Sequence, residues 1–387
     1  MAKRIGLLTG GGDAPGLNFC LKTVVHNAIN RGYEVVGIRK GWQGLIRYDP
    51  EEPTTHSDNA MIMTKSRVHT IDQSAGSFLH SSRIKPNQCV PQDAPPFLRV
   101  GADPNQPLDL TNHIKRSLEH LQLEALIVLG DKDTLEYASH LSNEGFPVIG
   151  IPKSVHNDIR GSAYSLGFST ALRRGVHFMN EIRDIAASRE EIAVVSILGH
   201  TSGLSTMLIA MFADADRTLI PEVPFDPHRL SDLLLTDKRK NPSNYAVLAM
   251  SEGAHIDPTT ALEEVLDSSA DIVTAGRRGS GPMVTHVLEG ILGQHLLYQP
   301  LSYLTRTGET DGWDLVTATN FGINAVDLIE QGTTGRLVAF RTKGGYLDVP
   351  LEKVTQPVAN MIDFYDVDRY APKPSIFTVA ARKTLGL

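Results

Sequence analysis

The segment Pro152-Lys153-Ser154-Val155-His156-Asn157-Asp158 gathers an ammonium, a hydroxyl, an imidazole and a carboxylate directly after the apolar run Val148–Ile151. A histidine, with an ordinary pKa near ~6.5, can take a proton from a hydroxyl at neutral pH. A lone loop histidine is also commonly structural, so His156 acquires meaning only from its neighbours. A second segment, Thr9-Gly10-Gly11-Gly12-Asp13, ends another apolar run and leads into the helical pattern Phe19–Ile29. Glycines there let backbone amides approach a phosphate, and the start of a helix favours its negative charge. The loop is neither of the two common nucleotide loops. Pro15 stands where the dinucleotide fingerprint needs glycine, and Gly16-Leu17-Asn18 where the P-loop needs Gly-Lys-Ser/Thr. Taken alone, such a segment is often no more than a tight turn.

Both segments depend on the elements that carry them. Short apolar runs recur at Ile5–Leu8, Val35–Ile38, Ala125–Leu129, Val148–Ile151, Ala193–Ile197 and Tyr245–Met250, with helical patterns between them. Strands alternating with helices predict a parallel sheet covered on both faces. Ligands of such sheets bind at the carboxyl ends of the strands. Besides the glycine run and Pro152–Asp158, those ends carry Gly130-Asp131-Lys132-Asp133-Thr134, Gly199-His200-Thr201-Ser202-Gly203 and Ser251-Glu252-Gly253, all small or charged and suited to a phosphate. From about Arg47 to Pro107 the chain is rich in Pro, Asp, Ser and Asn and reads as an irregular excursion that returns Arg83 to the site. No internal repeat or low-complexity tract is present.

A chain of 387 residues is expected to form two domains, and 41% hydrophobic with 21% charged residues is ordinary for a soluble globular protein. The formal charge of -7 gives no basic face for nucleic acid, and Lys238-Arg239-Lys240 is too short to supply one. Cys20 and Cys89 are too few for a disulfide framework or a zinc site, which fits a reducing compartment. The start passes directly from Met-Ala-Lys-Arg into a buried strand rather than a signal peptide. No apolar stretch approaches the ~18–20 residues that span a bilayer. The expectation is a cytoplasmic protein with no nucleic-acid and no membrane partner. A nicotinamide-dependent oxidoreductase fails on the missing dinucleotide fingerprint.

The string Gly10–Asn18, with Gly76-Ser-Phe-Leu-His-Ser-Ser-Arg83, Pro152–Asp158, Gly167-Phe-Ser-Thr-Ala171, Pro221-Glu222, Ser251-Glu252-Gly253 and Tyr303-Leu-Thr-Arg306, resembles the phosphofructokinases in order and spacing, from about Arg4 to Arg336. The resemblance implies transfer of a phosphoryl group from MgATP or magnesium pyrophosphate to the 1-hydroxyl of fructose 6-phosphate. It also implies an α/β fold of two Rossmann-like α/β/α lobes with mainly parallel sheets. The implied lobes are 1–167 with about 305–360 for the donor, and 168–304 with about 361–387 for the sugar phosphate. Carried over residue by residue, donor contacts fall on Gly11, Gly12, Arg83, Asp133 and Thr134, and catalytic roles on Lys153, His156 and Asp158. Sugar-phosphate contacts fall on Ser154, Gly199, His200, Glu252, Tyr303 and Arg306. Magnesium is the implied cofactor, and a homo-oligomer, dimer or tetramer, the implied assembly.

Several positions depart from the family pattern. A gapless match puts Asp131 at the second glycine of the family's Gly-Gly-Asp-Gly-Ser turn, Lys132 at its magnesium aspartate and Asp133 next to it. Metal ions neutralise charge on transferring phosphates, which leaves three alternatives: Asp131 or Asp133 recruits the ion, the Lys132 ammonium stands in for part of its charge, or the segment is a solvated loop with no metal. Aspartate at the position of Asp133 with lysine at that of Lys153 is typical of the pyrophosphate users. His156 replaces the aspartate that takes the sugar hydroxyl's proton. His200, Glu191 and Leu297 stand where the family has arginines, which removes bidentate phosphate contacts. Two expectations result: a phosphotransferase using pyrophosphate or ATP, or a catalytically silent member serving as regulatory partner of an active paralogue or as a metabolite-binding protein.

Overall fold

The computed structural model describes residues 3–74, 76–101, 103–260, 280–341, 343–357 and 359–377. Among them, 3–170 and 306–357 form one compact unit, and 171–305 with 359–377 form a second. The chain begins with β1 (Arg4–Thr9), α1 (Leu17–Asn30), β2 (Glu34–Ile38), α2 (Trp42–Arg47), α3 (His56–Asn59) and β3 (Ala60–Met63). A stretch of short 3-10 turns leads to α4 (Thr111–His120), β4 (Ala125–Gly130), α5 (Lys132–Asn143) and β5 (Val148–Pro152). Next come α6 (Phe168–Arg189), β6 (Ile192–Ile197), α7 (Leu204–Phe212), β7 (Arg217–Leu219), α8 (Pro227–Lys240) and β8 (Ala246–Ser251). After these stand α9 (Ser280–Leu292), β9 (Leu297–Pro300), α10 (Gly312–Glu330), β10 (Arg336–Arg341) and β11 (Gly345–Pro350). The short pair β12 (Tyr365–Asp366) and β13 (Ala371–Pro372) comes last.

Unit one holds a seven-stranded sheet in the order β11-β10-β5-β4-β1-β2-β3. Alternate side chains of a strand point to opposite faces, and here both faces are buried. Ile5, Leu7, Val35, Ile127, Leu129 and Ile149 pack beneath α1 and α10, where Leu21, Val24 and Phe321 meet them. Leu8, Val36, Leu126, Val128 and Val148 face the other way, against Trp42 of α2, Ile114 of α4 and Leu135 of α5. The central strands are parallel, whereas the edge strands β3 and β11 run antiparallel to their neighbours. The sequence reading predicts only the parallel core. β11 is half-buried and has no continuous apolar run, and the apolar run of β3 is only four residues long and partly exposed, so neither carries a comparable signal.

The strand order has a functional consequence. From β1 the chain builds outward to β2 and β3 and then returns to β4 on the other side of β1. The order therefore reverses at β1, and the crevice beyond the carboxyl ends of β1 and β4 is where such sheets collect ligands.

Unit two is built on a four-stranded parallel sheet, β7-β8-β6-β9. Ala193, Val195, Ile197, Val247 and Ala249 pack with Met179 and Ala186 of α6 and Ile209 of α7. Val194, Leu248 and Met250, alternate with these, are fully buried, as are Leu234 of α8 and Leu288 of α9. The loops following β6 and β8 come together: the Gly253 amide donates to the Gly199 carbonyl at 3.1 Å, and a Cβ at Gly253 would overlap the His200 backbone.

Candidate functional site

In unit one the glycine loop after β1 and the start of α5 after β4 are locked together. Gly11 has a φ of 80°, and a Cβ there would overlap the Asp131 carboxylate, so glycine alone fits. The Gly10 amide donates to the Leu129 carbonyl and the Gly11 amide to the Ser82 carbonyl, each at 2.9 Å. These two amides face the protein. The amides of Gly12 and Asp13, both half-exposed, have no hydrogen-bond partner among the described residues.

The segment Gly130–Thr134, which the sequence presents as a turn, is instead the start of a helix. Asp131 is the N-cap: its Oδ1 accepts from the Thr134 amide at 3.1 Å and from the Thr134 hydroxyl at 2.7 Å. Thr134 is thereby buried and packed against Gly10 and Gly130. Lys132 and Asp133 occupy the first helical turn. Lys132 Nζ lies 3.8 Å from Glu136, and Asp133 pairs at 2.6 Å with Lys85, which also reaches Glu136 at 2.8 Å. An aspartate immediately before a helical pattern is a capping signal that the sequence carried.

Lys153, at the end of β5, is only 1% exposed, and its Nζ donates to the Gly12 carbonyl. Burial lowers its pKa from 10.5 to about 8, while Asp131 and Asp13 pull it upward and Arg306 and Arg83 push it down. Arg306 sits against Gly12, and its Nη1 donates to the Asp13 carbonyl at 3.2 Å. Arg83, brought to this cluster by the irregular excursion, is exposed and makes no hydrogen bond or ion pair among the described residues. Lys153 and Arg306 thus hold the carbonyls of the two residues whose amides are open, with the Arg83 charge acting on Lys153, a combination suited to an anion.

The loop after Lys153 is held rigidly. The Ser154 hydroxyl donates to Asp158 Oδ1 at 2.6 Å, and the His156 amide donates to the Ser154 hydroxyl at 3.1 Å. Asn157 adopts a φ of 52°, fixed by its side chain donating to the Ala163 carbonyl and accepting from the Ser165 amide. His156 is half-buried with Nε2 3.5 Å from Arg306 Nη2, at the outer limit of hydrogen bonding. A guanidinium only donates, so this contact requires an unprotonated Nε2.

Sequence reasoning missed Asp314, the residue behind this loop. It is 0% exposed, and it accepts from the Tyr164 hydroxyl and the Gly167 amide, each at 2.7 Å, and from the amide and hydroxyl of Thr170. Burial raises its pKa, against the pull of those donors. Only the fold brings Asp314 to this segment.

In unit two, Glu252 follows β8 and accepts from the Ser302 hydroxyl at 2.6 Å. His200 Nε2 lies 3.5 Å from the other Glu252 oxygen, with the His200 side chain 69% exposed. Tyr303 is 74% exposed, and Gly199 forms the backbone contact with Gly253. Glu222 takes the Gly203 amide with both oxygens, at 3.0 and 3.1 Å, at the start of α7, and burial raises its pKa. Glu191 pairs with Arg189 at 3.4 Å. The predicted residues therefore divide: Gly11, Gly12, Arg83, Asp133, Thr134, Lys153, Ser154, His156, Asp158 and Arg306 lie in unit one, and Gly199, His200, Glu252 and Tyr303 in unit two. A cavity of about 540 Å³ in unit one, lined by residues including Asn18, Phe19, Asp72 and Thr310, contains none of them.

The carboxylates beside the glycine loop do not fit a protein-held magnesium ion. Asp131 caps α5, Asp133 is paired with Lys85, and Lys132 puts an ammonium beside them. Among the described residues no three His, Cys, Asp or Glu side chains converge as a metal ion needs. No helix among them is long and apolar enough to cross a membrane.

A family model described as phosphofructokinase matches residues 4–329. The chain is 30% identical over 340 residues to an ATP-dependent 6-phosphofructokinase of Streptomyces coelicolor, covering 87% of this chain and 91% of that one. It is 32% identical over 354 residues to a pyrophosphate–fructose 6-phosphate 1-phosphotransferase of Dictyoglomus thermophilum, covering 90% and 92%. The crystal structure of a pyrophosphate-dependent phosphofructokinase from Marinobacter aquaeolei shares the fold, with a TM-score of 0.75 at 15% identity over 99% of this chain and 90% of that one.

Proposed function

This chain belongs to the phosphofructokinase family, and from that premise we propose that it is a phosphotransferase moving a phosphoryl group from pyrophosphate to fructose 6-phosphate or a related sugar phosphate. The observation that carries this reading is the cation cluster of unit one, where Lys153 and Arg306 hold the Gly12 and Asp13 carbonyls beside their open amides and Arg83 acts on Lys153. One buried and two more accessible cations beside open amides suit an anion, and a phosphate supplies it with geometry that matches the guanidinium forks. Lys153 and Asp133 together favour pyrophosphate over ATP, in line with the Dictyoglomus relative. Gly199, His200, Glu252 and Tyr303 of unit two are assigned to the sugar phosphate.

In this mechanism His156 Nε2 accepts the proton of the sugar hydroxyl as its oxygen attacks the terminal phosphorus. The bond to the bridging oxygen breaks, and the leaving phosphate keeps the electron pair. Ser154 and Asp158 hold the His156 loop through their hydrogen bond. The Lys153, Arg83 and Arg306 cations offset the charge on the phosphates. No step is assigned to magnesium. A homo-oligomeric assembly and a cytoplasmic location belong to the same proposal.

A second reading, a catalytically silent member that regulates an active paralogue or binds a metabolite, is favoured by one specific observation. The positions that would approach the donor at the start of α5 carry Asp131, spent as a cap, and Lys132, a cation in place of a metal ligand. Phosphorus NMR with magnesium and fructose 6-phosphate, offered pyrophosphate or ATP in separate tubes, separates the two. A sugar bisphosphate signal with pyrophosphate, absent in Lys153→Ala, is the expected result. No turnover from either donor, with turnover restored by Lys132→Asp combined with His156→Asp, would establish the silent reading.

A further inference from the structure

Beyond the end of β5 the 153–158 loop is held by a second segment, 163–167. The Ser154 amide donates to the Leu166 carbonyl at 3.1 Å and the Leu166 amide to the Pro152 carbonyl at 3.0 Å, so the two segments pair on either side of Lys153. Asn157 continues the pairing, its side chain donating to the Ala163 carbonyl at 3.0 Å and accepting from the Ser165 amide at 2.7 Å. At its far end the same segment abuts the glycine loop, since a Cβ at Gly167 would lie 2.7 Å from the Ala14 side chain. Segment 163–167 thus touches both the loop that carries Lys153 and His156 and the residues that follow Gly12 and Asp13.

One buried carboxylate fixes that segment. Asp314 Oδ1 accepts from the Tyr164 hydroxyl and the Gly167 amide, each at 2.7 Å, while Oδ2 accepts from the Thr170 amide at 2.9 Å and its hydroxyl at 2.6 Å, in the first turn of α6. A carboxylate accepts with both oxygens, so a single side chain serves two segments, one on each oxygen. Asp314 is 0% exposed, so its donors have no water to turn to in its place. We propose that Asp314 is a positioning residue for phosphoryl transfer: through Oδ1 and segment 163–167 it sets where Lys153 and His156 stand, and it touches neither donor nor sugar phosphate. The proposal rests on the reading of the 153–158 loop as the reaction centre and names the group that fixes it. A misplacement of about 1 Å slows a reaction by about a hundredfold, so one hydroxyl behind the loop can set the rate.

Tyr164→Phe and Thr170→Val each delete one hydroxyl from the same carboxylate, the first on the Oδ1 side and the second on the Oδ2 side. Thr170→Ala serves if the valine variant does not fold. The full-length protein and both variants are compared by hydrogen exchange read by mass spectrometry, and by steady-state kinetics with pyrophosphate and fructose 6-phosphate. Exchange across 153–158 is expected to speed up about tenfold in Tyr164→Phe and to stay within about twofold of the unaltered protein in Thr170→Val. Tyr164→Phe also frees the Ser169 amide, so faster exchange at the start of α6 is expected in both and does not discriminate. In Tyr164→Phe kcat should fall about tenfold with KM for the sugar phosphate unchanged, whereas Thr170→Val should keep both. Equal losses of thermal stability with no difference between the variants in loop exchange or kcat would mean a purely structural carboxylate and overturn the proposal. Loop exchange and kcat unchanged in Tyr164→Phe would do the same. No turnover by any form, the unaltered protein included, would remove the phosphotransferase reading, and the exchange comparison would then decide by itself whether Oδ1 holds the loop.

Discussion

The strand ends of unit one and unit two carry similar residue types in opposite environments. In unit one, Lys153 is 1% exposed among Asp131, Asp13, Arg83 and Arg306, and Asp314 is wholly enclosed by its hydrogen-bond donors. In unit two, the His200 and Tyr303 side chains stand largely in water, and the Glu252 carboxylate is steadied by Ser302. A buried charge is tolerated only with its partners built in, whereas an exposed one is satisfied by solvent. Unit one is therefore electrostatically committed before any ligand arrives, while unit two can exchange side chains without disturbing its core.

The largest expected effect tests that commitment. Asp314→Ala strands the Tyr164 hydroxyl and the Gly167 and Thr170 amides in the interior, so urea unfolding should show a loss of about 3 kcal/mol or more. A loss no larger than that of an exposed unit-two change such as His200→Ala would show that the Asp314 cluster is no more committed than the surface of unit two.

The next effect is a pH dependence with a defined sign. Lys153 has a folded pKa lowered to about 8 by burial, against 10.5 for the free side chain. Between those values the unfolded chain binds more protons than the folded one, so stability rises with pH across that window. Below it the cost of burying the ammonium is present in full, about 3 kcal/mol from the size of the shift. Lys153→Met should lack this rise, seen as the difference between the two proteins in unfolding measured from pH 7 to pH 10. Parallel pH profiles would show that the ammonium is not desolvated.

The smallest effect sharpens the description of unit two. His200→Arg replaces an exposed imidazole by a fork able to hold a phosphate, so fructose 6-phosphate should bind about tenfold tighter in calorimetry. Stability should change by no more than about 0.5 kcal/mol. Destabilisation of 2 kcal/mol would mean that His200 supports the fold after all.

The parallel core strands and the glycine loop were legible because each is local: a run of apolar residues and a cluster of glycines keep their meaning wherever the chain goes. The edge strands β3 and β11 were not, because a four-residue run in β3 and a mixed pattern in β11 give little local signal and both form by pairing with a neighbouring strand. Asp131 shows an intermediate case. An aspartate before Lys132 is a local capping signal that was read instead as part of a turn, and its contact with Gly11 joins two segments over a hundred residues apart. Asp314 was invisible, since nothing near it in sequence indicates that its partners are Tyr164, Gly167 and Thr170.

The sequence by itself determined the family, the α/β architecture and the identity of the groups available for chemistry, because motifs and periodicity are written in residue order. Only the tertiary structure decided how those groups are spent. It buried Lys153 on the Gly12 carbonyl, made Asp131 the cap of α5, and set Arg306 beside His156. Charge state and availability depend on distance and desolvation, and both arise only when distant segments pack together.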